Sequence, residues 1–141
     1  MNPDDRSLME CSECLCLASR KAARALTRAF DRELRPHGIR TTQFSILTNL
    51  LLRGPLTISA LADFLGVERT TLTRNLGLIE SEGWVEIRAG DDARERVVTA
   101  TKKGRAVVTG ALAAWRKAQH AAAAAIGKGG VDALHALARS V

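Results

Sequence analysis

No apolar run in these 141 residues approaches the length that spans a bilayer. The first stretch, MNPDDRSLMECSEC, is acidic and polar where a secretory signal needs a basic start and an apolar core. Together these absences predict a soluble, cytoplasmic protein without a membrane partner. Cysteine is scarce: Cys11, Cys14 and Cys16 are the only three. The odd count and a reducing compartment exclude a disulfide framework, and any disulfide there would be conditional. His37, His120 and His135 are scattered, no nucleophile motif is present, and no glycine-rich phosphate loop follows a strand. Neither enzymatic chemistry nor a cofactor is expected, and no residue is assigned as a metal ligand.

With 46% hydrophobic residues, the chain suffices for one domain with a core, or for a compact domain carrying long helical extensions. Its formal charge of +6 suits a polyanionic partner, provided that the charges share a face.

From about Ser12 to Leu34, Leu15, Ala18, Ala22, Ala25, Ala29 and Phe30 recur at steps of three and four and mark one helical stripe. Arg20, Lys21, Arg24, Arg28 and Arg32 occupy much of the remainder, and the helix should stop at RPHG. A second helix is expected to start at a Thr41-Thr42 cap and end at Gly54-Pro55. Two short helices follow on either side of Gly66, the first capped by Thr57, the second with Leu72, Leu76 and Ile79 inward. After Gly83 the period switches: WVEIR alternates, AGDDA turns, and RERVVTAT alternates back as a hairpin. A long alanine-rich helix from Thr101 should end at GKGG, before a last short helix in VDALHALARSV.

Helix, glycine turn, helix and hairpin in direct succession describe a winged helix-turn-helix. The fold class is mainly α with a small β-hairpin wing, a winged helix-turn-helix flanked by N- and C-terminal helices, which the family resemblance given below makes dimerisation helices. Residues 1–11 read as a flexible N-terminus and 39–100 as the DNA-binding domain, while 12–38 and 101–141 form the helical region that the same resemblance assigns to dimerisation. On the second helix of the pair, Thr70 and Arg74 lie opposite the apolar stripe, Thr71 and Thr73 flank them, and Arg69 opens the helix. Such a face suits a major groove, in which an arginine bidentate to guanine discriminates by roughly 1–3 kcal/mol. Asn75 sits nearer the core edge and suits a phosphate contact or a structural bond equally well. The alternative for this face, and for Arg94 and Arg96 on the hairpin, is a merely solvated surface.

The stretches GIRTTQFSIL, LTISALADFLGVERTTLTRNLGLIESEGWVEI and DARERVVTATKKG resemble the MarR family (multiple antibiotic resistance regulators) over about residues 12–141. Asp92, Arg94, Thr101 and Gly104 match the wing signature of that family, D-x-R followed by T-x-x-G. The resemblance implies a homodimer built by the first helix and the last two, with Arg94 reaching a minor groove and Asp92 orienting it. An arginine also suits a narrow minor groove on electrostatic grounds. Two recognition helices about one turn apart imply a palindromic operator in double-stranded DNA, with repression as the default consequence.

Two features complicate this reading. Between Glu68 and Arg96, Glu68, Glu80, Glu82, Glu86, Asp91, Asp92 and Glu95 outnumber the arginines, so the module is not itself basic. That excess favours the main alternative, a winged-helix module that binds a protein. Gly77 also stands where the family often has a longer polar side chain.

The cysteines bear on the input, and three readings stay open: packing near the dimer interface, a redox sensor, and a soft-metal or metalloid site. Cys11 and Cys14, three apart, are close enough on a helix for a disulfide. On one continuous helix Cys16 points away from Cys14, which makes it the packing candidate. Thiol sensing occurs within the family in this same helix, but none of the three matches the sensor position. A fourth input, as in many family members, is a small aromatic or anionic effector held between the dimerisation and DNA-binding regions.

Overall fold

The computed structural model describes residues 2–140; Met1 and Val141, the outer limits of the segments delimited above, lie outside the described residues. The elements run α1 (Pro3–Met9), α2 (Leu15–Leu34), α3 (Thr41–Arg53), β1 (Leu56–Thr57), α4 (Ile58–Leu65), α5 (Arg69–Ser81), β2 (Val85–Ala89), β3 (Arg96–Ala100) and α6 (Lys102–Ser140). Short 3-10 turns occupy Glu10–Glu13 and Arg35–His37. The mainly helical architecture with a hairpin is the one the sequence predicts. The sheet has a third strand that it did not announce, β1, which pairs antiparallel with β3 in the order β1-β3-β2. Two residues are too few to show an alternating period; they become a strand only because Leu56 lies opposite Val98.

One hydrophobic core joins α3, α4, α5, the hairpin and the first turns of α6. Leu47, Leu61, Leu72, Leu76, Ile79, Val85 and Val98 are almost wholly buried. No charged or polar residue is buried among the described residues, so this core is held by apolar contact and packing alone. Thr57 caps α4 by accepting from the Ala60 amide at 3.1 Å, and left-handed Gly66, φ 65°, makes the tight turn into α5. At the far end of the turn pair, the Arg53 guanidinium stacks 3.5 Å from the centroid of Phe64 and ties α3 to α4.

The alanine-rich half of α6 packs along α2, where small side chains allow the two helices to approach, and Lys117 Nζ meets Glu33 Oε2 at 3.0 Å. The helix breaks at Gly127, whose φ of 79° and ψ of 163° lie outside helical space, within the expected GKGG stop. No helix among the described residues is long and apolar enough to cross a membrane.

Three local expectations are corrected. The cap of α3 is Arg40, not Thr41-Thr42: Thr41 is already helical, and both its amide and its hydroxyl donate to Asp31 Oδ1 at 2.8 Å. A carboxylate from α2 thus does the work assigned to a local hydroxyl. The first long helix begins at Leu15 rather than Ser12, because Cys14 leaves helical geometry with ψ 115°. The stretch read as a flexible N-terminus carries α1, with proline at its first position and Asp4 and Asp5 in its first turn, both favourable at a helix start.

Candidate nucleic-acid interface

Leu72, Leu76 and Ile79 turn one face of α5 into the core, and that anchorage decides what the other face shows. Arg69, Thr70, Thr71, Thr73 and Arg74 are all exposed, and Asn75 is half-buried at the core edge. The structure therefore brings five of the six residues singled out on this helix onto its free surface. A 13-residue helix is about 20 Å long and fits the major groove, which is about 12 Å wide. The hydroxyls differ in readiness: Thr73 Oγ1 donates to the Arg69 carbonyl at 2.8 Å, so its proton is already engaged in the helix. In that rotamer Thr73 offers a partner only acceptor capacity.

The wing projects beyond the core. Val85 and Val98 are buried at its base, whereas Asp91, Asp92, Ala93, Arg94, Glu95 and Arg96 are all exposed at its tip. The register Val85↔Ala100, Ile87↔Val98, Ala89↔Arg96 places Arg96 at the first pair below the turn. Asp92 Oδ1 accepts from the Arg94 amide at 3.0 Å, and the Glu95 amide donates to the Asp92 carbonyl at 2.9 Å. Asp92 thus shapes the turn that carries Arg94 and contacts its backbone. The ion pairs Arg88–Glu86, Lys117–Glu33 and Lys128–Asp132 leave the guanidinium groups of Arg69, Arg74, Arg94 and Arg96 uncommitted among the described residues.

The acidic excess of the module is real, but it is spread unevenly. Glu80 and Glu82 stand at the C-terminal end of α5, about 16 Å along the axis from Arg69. Glu86 is paired with Arg88 at 3.0 Å on β2. Glu68 is the cap residue of α5, and Asp91, Asp92 and Glu95 share the wing tip with Arg94 and Arg96.

The thiols form a separate group. Cys11, Cys14 and Cys16 are free and exposed, so none of them packs within its own chain. The Cys14 amide donates to the Cys11 carbonyl at 3.2 Å, so the two cysteines close one turn of a 3-10 helix. Turn ends lie under 7 Å apart at Cα, within reach of a disulfide. Cys16 lies beyond the break at Cys14, so the single-helix argument about its direction does not apply. Among the described residues no group of three or more His, Cys, Asp or Glu side chains is arranged to hold a metal ion.

Sequence reasoning missed Asp31, Trp84 and the bonding role of Thr101. Asp31 gave no signal, because its partner lies ten residues away on another helix. A groove of 350 Å³ between α3 and α6, lined by Phe44, Ser45, Thr48, Asn49, Leu52 and Trp115, also escaped residue-level reading. Its wall is the stacked pair of Phe44 and Trp115, with ring centroids 6.1 Å apart.

A family model described as MarR family matches residues 37–95. An uncharacterized HTH-type transcriptional regulator, YwoH of Bacillus subtilis (strain 168), is 36% identical over 83 residues, 59% of this chain and 61% of that protein. The chain therefore spans less than two thirds of that curated relative. The transcriptional regulator MosR of M. tuberculosis, in a crystal structure with DNA, is 42% identical; the match covers 91% of this chain and 96% of that one, with a TM-score of 0.81. The DNA-bound, overoxidized AbfR structure shares the fold at 24% identity, covering 80% and 84% of the two chains with a TM-score of 0.70.

Proposed function

The chain belongs to the MarR family of transcriptional regulators, and from that premise we propose that it represses transcription by binding a palindromic operator as a homodimer. The observation that carries this reading is the outer face of α5. Arg69, Thr70, Thr71 and Arg74 stand free on a helix whose inner face is locked into the core, with Arg94 carried on the wing beside it. Arg74 and the threonines contact base edges in the major groove, Arg69 and Asn75 contact phosphates, and Arg94 enters the adjacent minor groove, with Arg96 on the backbone beside it.

Support for a homodimer comes from what one chain leaves uncovered. All residues described from Asp4 to Ala25 are exposed, including Leu15 at 84% and Leu8 at 65%. Leu134 and Leu137, past the break in α6, are exposed as well. Apolar surface of this extent on the two terminal segments is suited to burial by a second copy. The dimerisation region is accordingly 12–38 with 101–141, and 39–100 reads DNA.

Release follows if a signal favours a dimer whose helix spacing no longer fits the operator. Two inputs have a place to act. The exposed pair Cys11 and Cys14 sits in one turn at the dimer end, where oxidation to a disulfide would reshape the segment leading into α2. The groove beside Phe44 and Trp115 suits a small aromatic effector at the junction of the two regions.

The reading is tested by selecting binding sites for the purified protein from a random double-stranded DNA pool. Enrichment of an inverted repeat, bound by one dimer, is the expected result. If no sequence is enriched while the protein is folded and dimeric, the operator reading fails and a protein partner takes its place. For the input, hydroperoxide should weaken binding by the wild type and not by Cys11→Ser or Cys14→Ser.

A further inference from the structure

The recognition helix and the long dimerisation helix are fastened to each other at one joint. After Ser81 the chain leaves α5 through Glu82, left-handed Gly83 and Trp84. The Gly83 amide donates to the Glu80 carbonyl at 2.9 Å and the Trp84 amide to the Ile79 carbonyl at 3.0 Å, the paired bonds that close a helix on a glycine. The carbonyls of those same two residues are then taken by Thr101, the residue before α6. Its Oγ1 donates to the Gly83 carbonyl at 2.7 Å, and its amide donates to the Trp84 carbonyl at 3.0 Å. That Oγ1 also accepts from the Gly104 amide at 3.1 Å, so one hydroxyl caps α6 and bolts it to the end of α5.

Gly104 completes the joint. It is buried, and a Cβ there would overlap the Trp84 carbonyl oxygen and press against Leu47 Cδ2 at 3.3 Å. Backbone thus rests on backbone, with no side chain between to absorb movement. A tilt of α6 carries the C-terminal end of α5 with it.

We propose that Thr101 and Gly104 are positioning residues that set the separation of the two recognition helices, and with it the half-site spacing that the dimer accepts. This rests on the homodimeric, operator-binding reading. Half-sites one turn apart lie about 34–36 Å from each other, and one base pair more or less displaces one of them by roughly 3.4 Å and about 35° around the axis. A stiff joint refuses that displacement. A loosened one lets each reading module swivel, which tolerates wrong spacing and loses preorganisation on the right one.

The experiment uses the full chain and the site that the wild type selects from a random DNA pool. Binding is measured to that site and to versions with one base pair added or removed between half-sites, for the wild type, Thr101→Val, Thr101→Ser and Gly104→Ala. Sedimentation and circular dichroism check dimer and fold. The wild type should lose at least about tenfold on either spacing change, whereas Thr101→Val and Gly104→Ala should bind the selected site about tenfold more weakly yet lose under about threefold on changing it. Thr101→Ser, which keeps the hydroxyl, should behave as wild type. If Gly104→Ala does not fold, Thr101→Val carries the test, since it changes shape little. A folded, dimeric Thr101→Val that discriminates spacing like the wild type overturns the proposal, and so does a uniform loss at every spacing, the mark of a merely structural role. A wild type that selects no site overturns the operator reading, and this inference with it.

Discussion

Arg74 and Leu76 are two residues apart on α5 and illustrate how differently neighbours act. Leu76 is 1% exposed and has no partner but other apolar groups, so its truncation leaves a cavity. Leu76→Ala should cost about 2–5 kcal/mol of stability in urea unfolding; a loss below about 1 kcal/mol would mean that the site collapses freely. Arg74 is exposed and unpaired among the described residues, so its removal should leave stability nearly unchanged. Its signature is in recognition: Arg74→Ala should weaken operator binding by roughly 1–3 kcal/mol and relax the preference at one position of each half-site. Equal weakening on every sequence would reassign it to a phosphate. Arg94→Ala should reduce DNA affinity while the dimer and its melting temperature stay as they are, and unchanged affinity would remove the wing from the interface. That Leu76 faces inward and Arg74 outward was legible in the sequence, because a period of 3.6 separates inward from outward positions without further information. What escaped was every role defined by a distant partner, such as the Asp31 carboxylate that receives both donors of Thr41.

At the scale of elements, long periodic segments and glycine stops were readable, whereas starts were not. The stops at Gly54, Gly66 and Gly127 fall where the sequence places them, because a glycine at positive φ ends a helix locally. Starts at Leu15 and Thr41 differ from expectation by one to three residues, since capping there is supplied by other helices or by a break at Cys14. The cap of α4 is the local exception, and Thr57→Ala should cost about 1 kcal/mol in thermal or urea unfolding. Replacement by serine should restore most of it; if alanine is neutral, the Ala60 amide has found another acceptor.

For the whole molecule, charge and its placement are separate quantities. The chain carries +6, yet the reading module holds more acids than arginines, and much of the surplus lies on α2 and α6. Few phosphates should be neutralised per dimer, so log affinity should fall against log salt with a slope shallower than about −5. A much steeper slope would place α2 or α6 on the DNA. Composition, period and turn residues determined by themselves that the chain is helical, that it carries a helix pair with a wing, and which face of α5 is free, because each of these is a local consequence of spacing. Only the tertiary structure decided that β1 is a strand and that α5 and α6 are joined through Thr101 and Gly104. In each case the deciding partner is a backbone or surface brought close by folding, and a sequence records a residue but not what will stand beside it.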